Sequence, residues 1–77
     1  MMKNIMVYSR HGGMFCDQAK EYLSQNGIKF RERDIAQHPG ALADLKKLGY
    51  MTTPVIVVDG SVIVGFDAEK IDRAVQG

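Results

Sequence analysis

The stretch VYSRHGGMFCDQAKEYL, residues 7–23, joins the end of a short apolar run to an amphipathic segment through two adjacent glycines. The apolar run, residues 3–9, contains β-branched and aromatic side chains and stops before the glycines, which predicts a buried strand. Beyond the glycines, four apolar side chains recur at the spacing of one helical face: Phe15, Ala19, Tyr22 and Leu23. The pattern predicts a helix that begins at Met14 and is ended by Asn26 and Gly27.

The next two segments predict a second strand and a second helix. IKFRERDI, residues 28–35, starts with alternating apolar and charged side chains, as a half-buried strand does. In QHPGALADLKKLGY, residues 37–50, Pro39 suits a first helical turn, and Gly49 fits the left-handed position after a helix end. Three leucines are expected to line one side of this helix: Leu42, Leu45 and Leu48.

The last part of the chain predicts a hairpin followed by a helix. TTPVIVVDGSVIVGF, residues 52–66, contains two apolar runs joined by Asp59 and Gly60, a dipeptide that favours a tight turn. Asp67 is a suitable cap for a final helix with three inward-facing side chains, Ile71, Ala74 and Val75. Because a strand–helix–strand unit pairs its strands in parallel, the order β-α-β-α-β-β-α predicts an α/β fold. Its mixed four-stranded sheet is flanked by three helices.

Length and composition limit the classes of protein to which this chain can belong. With 77 residues, of which 45% are hydrophobic and 25% charged, the chain is predicted to form one domain over residues 1–77. A net charge of +1 without a basic block argues against a nucleic acid partner. The longest apolar stretch, residues 54–58, is far shorter than the ~20 residues of a membrane helix, and the start lacks a signal peptide's apolar centre. We therefore expect a cytoplasmic protein without membrane contact.

The chain offers few soft or basic ligands for a metal ion. Zinc normally takes three or four protein side chains, whereas the only cysteine, Cys16, has His11 five residues away and one further histidine, His38. No metal is expected. Four methionines near the start are interpreted as initiation and core filling: Met1, Met2, Met6 and Met14. A single cysteine cannot form an internal disulfide, so stability must come from packing.

The element order and three motifs resemble the glutaredoxins, which have a thioredoxin-like fold. The motifs are VYSRHGGMFCDQAKEYL at the first strand and helix, TTPVIVVDG before the hairpin and GFDAEKI before the last helix. The chain is most similar to the short NrdH-type redoxins, which reduce ribonucleotide reductase and carry a similar ending, here Gly65, Phe66 and Ile71. The resemblance implies thiol–disulfide exchange and electron transport in cell redox homeostasis. It implies no bound cofactor, with glutathione as a possible co-substrate and glutathione or a protein disulfide, such as that of a ribonucleotide reductase, as partner.

The family motif C-x-x-C at the start of the first helix is incomplete in this chain. The downstream pair Ala19 and Lys20 aligns Cys16 with the second cysteine of the motif and Gly13 with the first. The resemblance assigns attack on a disulfide to the first cysteine and release of the mixed disulfide to the second. The chain is therefore expected to have weak or altered activity, and whether it is an enzyme stays open.

Two interpretations of Cys16 remain open at this point. Thiol exchange needs a thiolate, which the start of a helix favours by roughly 0.3–1 kcal/mol and which nearby Arg10 and His11 would favour further. Gly12 and Gly13 could open a path to the sulfur and leave amide N–H groups free for an anion. Burial would act in the opposite direction, and Cys16 would then be a half-buried apolar side chain without exchange chemistry.

The remaining candidate residues follow from the resemblance, each beside a structural alternative. Thr53 and Pro54 match the cis-proline loop that pairs with substrate backbone, so we predict a cis bond and a Thr53 backbone that faces the thiol loop. Arg10 matches the residue that meets a glutathione carboxylate, but a solvated surface charge explains it equally well. Gly65 and Asp67 match the site of the γ-glutamyl end, although helix capping alone accounts for Asp67.

Two further hypotheses stand beside weak thiol exchange. The chain could be a non-catalytic module that holds glutathione or an extended peptide through the cis-proline loop, Arg10 and the helix amides. It could also associate covalently through Cys16 into a disulfide-linked dimer, although a monomer is the simpler expectation.

Overall fold

The computed structural model describes residues 4–76 and contains the predicted order of elements. The strands are β1 (Ile5–Ser9), β2 (Arg31–Asp34), β3 (Val55–Val58) and β4 (Ser61–Val64). The helices are α1 (Met14–Gln25), α2 (Pro39–Lys47) and α3 (Ala68–Gln76). The order β-α-β-α-β-β-α is thus confirmed, while Met1, Met2 and the predicted first strand residue Lys3 lie outside the described residues.

The four strands form one mixed sheet in the order β2-β1-β3-β4. β1 pairs in parallel with β2, and β3 pairs antiparallel with both β1 and β4. β2 is an edge strand with the sequence Arg-Glu-Arg-Asp. It is shorter than predicted, because its pairing with β1 begins only at Met6 and Arg31. Ile28 and Phe30 precede the paired part and still pack against the core.

The hairpin between β3 and β4 turns at the predicted dipeptide. Asp59 and Gly60 both have positive φ, 47° and 90°, as a tight two-residue hairpin turn requires. The Asp59 carboxylate also accepts a hydrogen bond from the Asn4 N–H at 2.8 Å. This contact fastens the turn to the beginning of β1.

The sheet has a larger and a smaller apolar face. The larger face packs against α1 and α3 and contains eight buried side chains: Ile5, Val7, Ala19, Leu23, Ile56, Val58, Ile63 and Ile71. Ala74 and Val75 pack against this cluster, as predicted. The smaller face is covered by α2 and contains Tyr8, Leu45 and Val55. Since the larger face carries α1, most of the core lies directly beneath the segment that positions Cys16.

Three predicted core side chains are exposed. Met14, which was interpreted as core filling, is 65% exposed in the first turn of α1. Phe15 is 58% exposed, because the inward stripe of α1 runs through Cys16, Ala19 and Leu23 at the i, i+3, i+7 spacing. Leu48 also lies outside the core, since α2 ends at Lys47 and the chain turns away through its left-handed neighbour Gly49 (φ 95°). No helix within residues 4–76 has the length and apolar character needed to cross a bilayer.

Candidate functional site

The loop from β1 to α1 delivers the chain to the start of the helix through its two glycines. Gly12 has φ 82°, a left-handed conformation that favours glycine. Gly13 is extended and stands at the N-cap of α1 without a side-chain hydrogen bond to the helix. Its N–H donates to the Arg10 carbonyl at 3.0 Å, so the prediction of a free amide at Gly13 is wrong. The amides without an intrahelical acceptor belong to the first helical turn, from Met14 onward.

Cys16 lies on the inner face of α1 and is only 2% exposed. A Cβ added at Gly13 would lie 3.1 Å from Cys16 Sγ and 3.2 Å from the Arg10 carbonyl oxygen. Gly13 therefore lies next to the sulfur, and a side chain at position 13 would make a close contact with Cys16 Sγ. Cys16 is thus more deeply buried than the half-buried position that was predicted for a packed cysteine.

The spacing between positions 13 and 16 is that of a bonded cysteine pair. The added Cβ at Gly13 would be 3.5 Å from Cys16 Cβ, and disulfide-linked Cβ atoms are separated by about 3.5–4.5 Å. The backbone thus keeps the geometry of a C-x-x-C motif although the first side chain is missing. This agrees with the alignment of Gly13 to the first cysteine of that motif.

The Thr53–Pro54 peptide bond is cis, as predicted from the resemblance. Pro54 is buried and Thr53 is half-buried at the surface. The Pro54 carbonyl accepts a hydrogen bond from the Gly65 N–H at 2.8 Å, which brings two of the predicted binding residues together. That the Thr53 backbone faces the thiol loop stays a prediction.

The predicted charged residues of the site have different surroundings. The Asp67 carboxylate accepts a hydrogen bond from the Lys70 N–H at 3.2 Å, which confirms that it caps α3. Arg10 and His11 are exposed on the loop in front of α1. A ligand role for Arg10 or Asp67 therefore stays a prediction.

A polar cluster beside α1 was missed by sequence reasoning. One carboxylate oxygen of Glu32 accepts hydrogen bonds from Ser9 Oγ and from Lys20 Nζ, each at 2.7 Å. The hydrogen bond to Glu32 raises the pKa of Lys20, and the same contact, followed by that from Ser9, lowers the pKa of Glu32. The spacing of four between Cys16 and Lys20, which places both on one side of a helix, could have indicated Lys20, but no local signal points to Ser9 or Glu32.

Exposed apolar side chains flank both segments of the candidate site. Met14 is 65% exposed and, with Phe15, forms the first turn of α1, directly before Cys16. Met51 is 71% exposed and precedes Thr53 by two residues. Single exposed apolar side chains are common on protein surfaces, so these exposures alone do not mark a contact surface.

Other features of the described residues lie away from the thiol. Within residues 4–76, no three His, Cys, Asp or Glu side chains gather in a way that could hold a metal ion. A cleft of about 570 Å³ opens beside the first residues of β1, where Phe30, Arg31 and Asp59 contribute to its wall. None of the predicted site residues lines this cleft.

Comparison with known proteins identifies relatives over nearly the whole chain. The family model described as glutaredoxin matches residues 5–63. A glutaredoxin-like 8.6 kDa protein of the rubredoxin operon of Clostridium pasteurianum is 32% identical over 73 residues, which cover 94% of this chain and 97% of that protein. The glutaredoxin-like protein NrdH of Lactococcus lactis is 32% identical over 69 residues, 90% of this chain and 96% of the relative.

A solved structure supports the same assignment of the fold. The crystal structure of the thioredoxin-like protein BC3987 superposes with a TM-score of 0.86 at 30% sequence identity. The match covers 92% of this chain and 99% of the other. The predicted thioredoxin-like fold is therefore confirmed.

Proposed function

This chain belongs to the glutaredoxin family of thiol–disulfide redox proteins, and on that premise we propose that it carries out slow thiol–disulfide exchange through the single thiol of Cys16. The proposed partners are glutathione, as co-substrate, or a protein disulfide such as that of a ribonucleotide reductase. A monomer in the reducing cytoplasm is the setting that fits a lone thiol.

The observation that carries this proposal is the spacing at Gly13. A side-chain carbon there would lie 3.5 Å from Cys16 Cβ, within the range of about 3.5–4.5 Å found in disulfides. The Cys16 sulfur is thus held where it could bond to a second sulfur above Gly13. Because glycine supplies no side chain, we infer that a sulfur from an external disulfide takes this place.

The proposed forward step is a balanced exchange. The Cys16 thiolate attacks one sulfur of oxidised glutathione, and the new bond joins Cys16 Sγ to that sulfur. The old S–S bond breaks, and the departing glutathione thiolate takes up a proton from solvent. The products are a mixed disulfide at Cys16 and one molecule of reduced glutathione.

The proposed return step needs an outside thiol, since the chain has no second cysteine. A glutathione thiolate attacks the glutathione sulfur of the mixed disulfide, releases the Cys16 thiolate and forms oxidised glutathione. The 2% exposure of Cys16 supports a slow reaction, because the attacking sulfur must be reached past the loop at Gly13.

Mass spectrometry after incubation with oxidised glutathione tests the proposal. The folded chain should gain one glutathione at Cys16, and a Cys16→Ser control should gain none. The rate in denaturant gives the intrinsic reactivity of the thiol. If the adduct forms only after denaturation, Cys16 is a packing residue and the proposed exchange is wrong.

A Gly13→Ala variant tests the proposed direction of approach. The added methyl group would lie 3.1 Å from Cys16 Sγ, so we expect the adduct rate of the folded chain to fall at least about tenfold. The rate in denaturant should equal that of the parent chain. An unchanged rate in the folded variant would show that disulfides reach the sulfur by another route.

The burial of Cys16 favours a second candidate, a non-catalytic module that binds glutathione or an extended peptide without forming a bond. The contacts would then come from exposed Arg10, from half-buried Thr53 and from the amides in the first turn of α1. This candidate predicts that the Cys16→Ser variant binds S-methylglutathione while the parent chain forms no adduct. A disulfide-linked dimer through Cys16 would require two buried sulfurs to meet, and non-reducing electrophoresis tests it.

A further inference from the structure

We propose that Lys20, held by Glu32, is a positioning residue that supplies positive charge to the Cys16 thiolate, and that Lys20 and Glu32 act on this thiol in opposite directions. The inference rests on the proposed function, because it concerns the thiolate that exchange requires. It deepens that function by assigning to one ion pair the control of how readily the thiol ionises.

Helix geometry brings the ammonium group to the side of α1 that carries the thiol. Lys20 follows Cys16 by four residues, so the two side chains lie one above the other along the helix. The Lys20 side chain is 27% exposed, and its Nζ lies 3.7 Å from an Asp17 carboxylate oxygen in addition to its 2.7 Å contact with Glu32. The charge is therefore held beside the helix instead of extending freely into solvent.

Glu32 is itself held in place by the sheet. The oxygen that receives Lys20 Nζ also accepts the hydrogen bond from Ser9, a fully buried residue at the end of β1. Ser9 and Glu32 belong to adjacent paired strands, and Ser9 is the last residue before the loop that leads to Cys16. These hydrogen bonds connect β1, β2 and α1 at the end of β1 that leads to Cys16.

The charged groups around Lys20 agree with its place on this side of α1. The hydrogen bond to Glu32 is the largest cause of its raised pKa, which is opposed by partial burial. The negative charges of Glu32, Asp17 and, most weakly, Cys16 raise this pKa further. The proposed effect follows from the placement of the charge, because an ammonium group held beside a helix attracts a negative sulfur on the same side.

The other charged groups on the surrounding segments determine the signs of the expected effects. These groups are Arg10, His11, Asp17, Glu32 and Asp67, and segment 51–53 carries none. Asp34, also on β2, acts on Glu32 and raises its pKa slightly. Because Glu32 and Asp17 offset the charge of Lys20, removal of Lys20 leaves these two carboxylates without their shared ammonium group. Removal of the Glu32 charge instead leaves more of the positive charge of Lys20 without a neighbouring negative charge.

The test measures the rate of Cys16 alkylation by iodoacetamide as a function of pH. In Lys20→Met, we expect the midpoint of the profile to move to higher pH by roughly half a unit or more. In Glu32→Gln it should move to lower pH, and Lys20→Arg should retain the parent profile. Lys47→Met and Glu21→Gln, which remove exposed charges elsewhere, are the matched controls.

Each outcome decides between the inference and the proposed function. Shifts of opposite sign that shrink in high salt support the inference, because they require an electrostatic effect on the thiol. Profiles that coincide, or that move in the same direction in both variants, would overturn it while leaving the proposed exchange intact. A parent thiol that does not react at any pH at which the chain is folded would overturn the proposed function and this inference together.

Discussion

The starts of α1 and α3 differ in how they satisfy the rules of helix stability. α3 begins behind Asp67, whose carboxylate accepts a hydrogen bond from the Lys70 N–H, and Glu69 in its first turn pairs with Arg73 at 2.8 Å. α1 begins behind Gly13, which offers no side-chain cap, and its first turn exposes Met14 and Phe15. The helix that carries the thiol therefore has the less stabilised beginning.

The difference shows which features of α1 need an explanation other than stability. A Ser, Thr, Asp or Asn at the N-cap would stabilise the helix by a few tenths of a kcal/mol more than glycine does. An exposed aromatic side chain gains nothing from the core. Departures from local stability rules concentrate at functional sites, so the contrast with α3 points to the first turn of α1 as the part of the fold shaped by chemistry.

The largest expected effect comes from restoring a thiol at position 13. Gly13→Cys should form a disulfide with Cys16 on oxidation, because the two Cβ positions are 3.5 Å apart. We expect turnover in a glutathione-coupled disulfide reduction assay to rise by about three orders of magnitude, since an internal thiol then replaces an outside one. Gly13→Ser, which adds a hydroxyl instead, is the control.

Two outcomes of this substitution would weaken the contrast between the helices. If Gly13→Cys forms no disulfide, the backbone at the start of α1 does not hold the geometry of C-x-x-C. If the disulfide forms without a gain in turnover, the site lacks some other feature that catalysis needs in addition to the second thiol.

A pair of truncations on α1 separates its packed face from its exposed first turn. Leu23→Ala should lower the free energy of unfolding by about 2–5 kcal/mol, because Leu23 is fully buried in the larger core. Phe15→Ala should change it by less than about 0.5 kcal/mol, as substitutions at exposed positions do. Urea denaturation of both variants makes the comparison, and a large loss in Phe15→Ala would place that ring in the core after all.

The cap of α3 offers a smaller effect. Asp67→Ala should lower the free energy of unfolding by about 1 kcal/mol, because the Lys70 N–H loses its acceptor. Asp67→Asn keeps an acceptor and should retain most of the stability. If the glutathione adduct rate at Cys16 falls further than the loss of stability explains, Asp67 has a ligand role in addition to capping.

The smallest expected effect is a dependence of stability on pH. Lys20 and Ser9 lower the pKa of Glu32 from its usual 4.5, so its contribution to stability is present above that value and is lost as pH falls through the lowered pKa. Glu32→Gln should remove this part of the acid slope when urea midpoints are compared between pH 6 and pH 3. A slope that is unchanged in the variant would mean that the pair with Lys20 adds no stability.

Local rules predicted the fold because each element carries its own signal. Pro39 begins α2, and Asp59 with Gly60 turns the hairpin. The rotation of α1 was not predictable, because Phe15 and Cys16 are neighbours and the choice between them depends on how the helix packs onto the sheet. Periodicity therefore identified the helix and missed one residue of its buried face.

The candidate site was predictable only in part, since its contacts join distant parts of the chain. The cis bond at Pro54 and the alignment of Gly13 followed from family motifs. The hydrogen bonds of Glu32 with Ser9 and Lys20 depend on the register of β1 against β2 and on where α1 lies across the sheet, which the local pattern does not reveal. Sequence reasoning could place Lys20 near Cys16 on the helix, but it could not show what holds its charge there.

The composition of β2 has a consequence for how the chain behaves at high concentration. A free sheet edge offers unpaired amides and carbonyls on which a strand from another molecule can be added, and charged side chains discourage this. The Arg-Glu-Arg-Asp sequence of β2 discourages such strand addition at its edge of the sheet. The opposite edge, β4, has the sequence Ser-Val-Ile-Val, with Val64 46% exposed. Fibrous aggregation of the folded chain should therefore begin at the valine-rich edge, and a lysine in place of Val64 is the substitution that should suppress it.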